Sequence, residues 1–237
     1  MNNDNPAARL LAVLEKGKQI SPGQPCRQSW QNLLKVSNGE NALLMSRIGK
    51  VMELPEQIIL ALKDGFPNQG DTWTHWANQV NTAFMVQNIN ANWDSFINHV
   101  DVHTITYLRM AADLLQTKAN TKLIADNEIQ GVREKINAIY EEILDSKLPD
   151  EIKKYLIRYL RKIQTGIDEY YLTGAIPLLE AMETMVGHTM VDKDYREFLR
   201  DTDLGKKILD TLSSMANVVT VAVGIPQLSQ AIALLSN

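Results

Sequence analysis

Apolar residues recur along most of this chain in alternating steps of three and four, the spacing that lines one side of an α-helix. The clearest run lies between Asp126 and Gly187. Ile129, Val132, Ile136, Ile139 and Ile143 form one stripe, with Glu134, Lys135, Glu141, Glu142 and Asp145 off it. After Ser146-Lys147-Leu148-Pro149 the rhythm restarts with Ile152, Leu156, Tyr159, Ile163, Ile167 and Tyr170. A connection that short predicts that the two helices fold back on each other as an antiparallel hairpin. Pro149 suits a first helical position, and Asp150 and Glu151 place negative charge at the positive end of the helix dipole. Gly174 ends the second helix, Pro177 opens a shorter third with Leu178, Met182 and Met185 inward, and Gly187 stops it.

Upstream, Asn5-Pro6 is a helix start carrying Leu10, Leu11, Val13 and Leu14. Ser21 to Pro25 is turn chemistry, and Pro25 introduces a short helix with Trp30, Leu33 and Leu34. Ser37-Asn38-Gly39-Glu40 has capping-box spacing ahead of Leu43, Leu44, Ile48, Val51 and Met52, and Leu54-Pro55 is expected to break or kink that helix. The loop from Asp64 to Asp71 is expected to divide an N-terminal sub-bundle, 1–64, from a main bundle, 65–205. Beyond it come Trp73, Trp76, Val80 and Phe84, then a long helical segment from Trp93 to Leu115. Aromatic side chains bury much area each, so the core of the first half is expected to form around the tryptophans. No strand-like alternation appears. The expected fold is all-α: a multi-helix bundle built around the 126–187 hairpin, with an apolar C-terminal helical segment, 206–237.

At 237 residues the chain is long enough to bury a core without a metal or disulfide staple. A net charge of -4 with mixed signs disfavours a globally basic nucleic-acid binder. A single cysteine, Cys26, forms no internal disulfide and suits a reducing, cytoplasmic location. The opening Met-Asn-Asn-Asp-Asn-Pro shows no secretory pattern, so none is expected.

The segment from Thr211 to Asn237 has no charged residue, and Lys206 and Lys207 precede it as cytoplasmic flanking charges would. Pro226 and the polar Asn217, Gln227, Ser229 and Gln230 interrupt it, leaving its apolar run short of a span. Three readings follow: a buried terminal helix pair, a membrane-contacting segment, or a partner-binding surface. The contact residues would be Val218, Val219, Val221, Val223, Ile225, Leu228, Ile232 and Leu235. Such a contact would hold the protein at the inner face of the membrane.

His99 and His103 stand four apart, a spacing that on one helix can chelate a divalent metal, although the same face offers no third ligand. The plainer expectation is two partly buried structural histidines; His75 and His188 are isolated and read as structural. Lys154, Arg158 and Arg161 share a helical face that could grip phosphates, or else pair with Glu141, Glu142 and Asp145 on the preceding helix. Tyr155, Tyr159, Tyr170 and Tyr171 read as helix packing. No phosphate loop, dinucleotide fingerprint, nucleophile elbow or Cys-x-x-Cys occurs, and no cofactor is expected.

A helical body followed by a charge-free apolar tail resembles the layout of small bacterial proteins of unknown role, some of them linked to phage defence. The resemblance is one of layout and carries no functional residue. The expectation is a non-enzymatic interaction protein, an adaptor or complex subunit that binds another protein or itself through helix faces. The alternative is a membrane-active effector whose C-terminal segment is released or inserted on activation.

Overall fold

The computed structural model describes residues 4–118 and 122–223, except for the side chains of Val221 and Val223. It is an all-α, multi-helix bundle with no strand among the described residues. The chain forms two compact units that divide at 119/120.

The first unit contains α1 (Pro6–Gln19), α2 (Cys26–Leu33), α3 (Asn41–Gly65), α4 (Thr74–Val86), α5 (Asp94–Ile97) and α6 (Val102–Lys118). Asn5 caps α1 by accepting from the Ala8 amide at 3.0 Å, and its Nδ2 donates to the Ala112 carbonyl on α6 at 3.0 Å. The core gathers around aromatic rings. Trp30 lies 4.8 Å from Phe96 and 5.1 Å from Trp93, while Phe84 lies 4.9 Å from Phe96, centroid to centroid. Two of the three deep indoles are satisfied within this core: Trp30 donates to Gln87 Oε1 at 2.8 Å and Trp93 to the Gly17 carbonyl at 2.9 Å. These bonds run between residues before and after the Asp64–Asp71 loop. The sub-bundle expected at 1–64 is therefore not a unit of its own, because α1 and α3 bury their apolar faces against α4 and α6.

Three local expectations are corrected. Gly39 sits at φ 94°, so α3 begins only at Asn41; of the capping box, the structure keeps the Glu40 carboxylate accepting from the Ser37 amide at 3.0 Å. Pro55 lies inside an unbroken α3 and is itself buried beside Leu54 and Ile58, so apolar burial offsets the ladder bond it removes. The segment from Trp93 to Leu115 is not one helix: it stops after α5, turns at 98–101 and restarts as α6.

The second unit contains α7 (Asp126–Asp145), α8 (Asp150–Thr173), α9 (Ile176–Gly187), α10 (Lys193–Asp201) and α11 (Asp203–Val223). Val132, Ile136, Ile139 and Ile143 from α7 and Leu156, Tyr159, Ile163 and Ile167 from α8 enter one core. Polar links join the two helices along their length. Arg133 pairs with Asp168, Gln164 donates to Asn137 at 2.9 Å, Arg161 to the Tyr140 hydroxyl at 3.0 Å, and Lys153 to the Leu144 carbonyl at 2.6 Å. On its other side α8 meets α9, where a Cβ on Gly166 would lie 2.8 Å from Leu178 Cδ2. α11 packs against α7, α9 and α10, burying Ile208, Leu209, Leu212, Met215, Ala216, Val219 and Ala222.

Candidate functional site

The two histidines singled out from their spacing do not share a helical face. His99 lies in the turn before α6, its amide bonded to the Phe96 carbonyl at 3.2 Å, and His103 stands in the first turn of α6. Asp101 separates them because its carboxylate caps α6, accepting from the Thr104 amide at 2.6 Å. The packing of α4 on α6 brings a different histidine to that corner. His75 Nε2 lies 2.9 Å from Asp101 Oδ2, and its ring sits 6.3 Å from His103 and 6.0 Å from Tyr107. With the carboxylate accepting, His75 donates from Nε2. Nothing in linear spacing announces this group, since His75 is 26 residues from Asp101. Among the described residues no set of three or more His, Cys, Asp or Glu is arranged to hold a metal ion.

Lys154, Arg158, Arg161 and Lys162 are exposed on α8. The pairing expected with Glu141, Glu142 and Asp145 is not what forms. Glu142 takes Lys207 of α11, Lys153 donates to backbone carbonyls, and Arg161 turns to the Tyr140 hydroxyl. The α8 cations thus face solvent without a carboxylate partner among the described residues.

Beside them lies a group that spacing did not reveal. His188, in the turn after α9, is ringed by Tyr155 at 4.3 Å, Tyr195 at 5.0 Å and Tyr159 at 5.7 Å. Its side chain is 15% exposed, with Asp192 Oδ2 3.4 Å from Nε2 but poorly placed for a hydrogen bond. Among the described residues, His188 Nε2 and the hydroxyl of the fully buried Tyr195 have no hydrogen-bond partner. Burial, more than the neighbouring Tyr159 and Asp192, pushes the Tyr195 phenol strongly up. Only the i, i+4 spacing of Tyr155 and Tyr159 hinted that one side of α8 was aromatic.

Of the C-terminal contact residues, Val219 belongs to the core at 3% exposure. It reaches a membrane or partner only if α11 leaves its place. Val218 is half-buried and lines a cavity of about 240 Å³ with Lys122, Leu123, Ile124, Glu128, Asn217 and Ala222. Val221 and Val223 lie in α11 but their side chains fall outside what is described, and Ile225, Leu228, Ile232 and Leu235 lie outside the described residues altogether. Among the described residues no helix is long and apolar enough to cross a membrane. Cys26 is fully buried, and burial pushes its thiol up, the opposite of an activated nucleophile.

No family model, no curated protein and no solved structure matches the chain.

Proposed function

We propose that this is a non-enzymatic interaction protein, an adaptor or complex subunit of the cytoplasm that offers helix faces to another protein. The observation that carries the reading is the outward side of α6. Val102, Tyr107 and Met110 lie there, 71%, 41% and 62% exposed, one to two helical turns apart. The inward side of the same helix holds Leu108, Ala111, Ala112 and Leu115 in the core. A helix anchored on one face that presents three large apolar side chains among His103, Thr106, Arg109 and Asp113 on the other is suited to packing a second helix through a mixed surface. In the second unit we read α7 and α8 as an antiparallel hairpin, a rigid frame for α9 to α11. The layout that this chain shares with small bacterial proteins makes phage defence the setting to test first.

The alternative, insertion of the C-terminal segment, asks more of the molecule, because α11 would have to withdraw Leu212, Met215, Ala216 and Val219 from the core. The two readings separate by site-specific photocrosslinking in cells. A crosslinker at Met110 is expected to give one discrete protein adduct, and one at the exposed Gln57 on α3 none. Equal labelling at both positions, or none at Met110, overturns the α6 surface.

A further inference from the structure

We propose that the second unit docks on anionic membrane surfaces through the cationic face of α8 and the apolar corner formed by Met190 and Val191. The contact is peripheral and needs no spanning helix. Residues 153–162 carry Lys153, Lys154, Arg158, Arg161 and Lys162 and no acid. One edge of α8 is occupied by α7, marked by the links from Lys153, Arg161, Gln164 and Asp168. The other edge meets the His188 turn through Tyr155 and Tyr159. Lys154, Arg158 and Lys162 fall on the solvent face between those edges, at 100° per residue.

Met190 and Val191 lie two and three residues past His188, after the buried Thr189, and are 80% and 81% exposed; because the His188 ring packs on Tyr155 and Tyr159, this apolar corner adjoins the edge of α8 next to the cationic face. Two of the nearby acids are already engaged. Asp192 is turned inward as the cap of α10, accepting from the Tyr195 amide at 2.9 Å, and Glu197 is taken up by Lys193 at 3.4 Å. On the face itself Glu151 stands against Lys154, Arg158 and Lys162, while Glu180 and Glu183 are exposed on α9 and Asp194 on α10. Cations beside protruding apolar side chains match the two layers of an anionic bilayer, headgroup phosphates over acyl chains. A nucleic acid would use the cations and leave the corner idle, and the tyrosine rings that could stack on bases are committed to His188.

The test is flotation of the full chain with phosphatidylcholine vesicles made with and without phosphatidylglycerol. Binding is expected only to the anionic vesicles and is expected to weaken as salt screens the charges. Replacing Lys154, Arg158 and Lys162 together by Gln should weaken it about a hundredfold, from the cost of losing a cation at a charged surface. Met190→Ser with Val191→Ser should weaken it about tenfold. If the triple variant melts early, the single Arg158→Gln serves in its place and should cost about fivefold. Absence of flotation, or flotation that both variants leave unchanged, overturns the proposal. So does an oligonucleotide affinity that falls with the Gln variant while vesicle binding does not.

Discussion

At the scale of single residues, the structure separates groups that look alike in the sequence. Asp101 is both the cap of α6 and the partner of His75. Partial burial pushes its carboxyl up, but the Thr104 amide and His75 outweigh this and the net displacement is downward. A carboxyl lowered in the folded state adds stability above its unfolded pKa of about 3.9, and that stability is lost as pH falls through the folded value. Asp101→Ala should therefore cost about 1 kcal/mol in a urea melt at neutral pH, mostly from the cap. Asp101→Asn keeps a capping oxygen and should cost no more than a few tenths. A full-sized loss in the Asn variant would show that His75, not the cap, carries the effect. Tyr195 offers the opposite sign. Its buried hydroxyl has no partner among the described residues, so Tyr195→Phe should raise stability by about 1 kcal/mol. A lower melting temperature would mean that the hydroxyl is satisfied in solution.

At the scale of elements, α11 is the test of what the charge-free stretch is for. Truncation at Asp210 removes Leu212, Met215, Ala216, Val219 and Ala222 from the core of the second unit. It should abolish the cooperative melt of that unit, read by circular dichroism. An unchanged melt would show that the core closes without the helix. Gly205 sets a sharper condition on the same helix: a Cβ there would meet the Phe198 carbonyl oxygen at 2.2 Å and Leu199 Cα at 2.6 Å, backbone that cannot rotate away. Gly205→Ala should thus force α11 off α10 and cost more than about 2 kcal/mol. The stripes of α7 and α8 were legible in advance, since Val132, Ile136, Ile139, Ile143, Leu156, Tyr159, Ile163, Ile167 and Tyr170 are all buried where three-and-four spacing put them, and only the leading Ile129 and Ile152 are half-buried. The break before α6 was not, because no Gly or Pro marks it and the turn is held by the Asp101 side chain accepting from the Thr104 amide. Nor could spacing bring His75 to His103 or Tyr195 to His188, because those encounters depend on how helices pack and not on their periodicity.

At the scale of the whole molecule, two cores in one chain mean two separable stabilities. The first unit closes on itself through bonds such as Trp93 to Gly17 and Asn5 to Ala112. A fragment 1–119 should therefore fold alone, with a single cooperative transition and strong near-ultraviolet ellipticity from its indoles. Failure to do so would show that it borrows stability from the rest of the chain. Trp30, Trp73, Trp76 and Trp93 all belong to this unit, and the second has tyrosine but no tryptophan. Light absorbed only by indole consequently interrogates one half of the protein, while backbone ellipticity sums over both. Each tyrosine-bearing half can be watched by difference, with no label and no added chromophore, so that a ligand's effect can be assigned to its unit from two optical traces of the same sample.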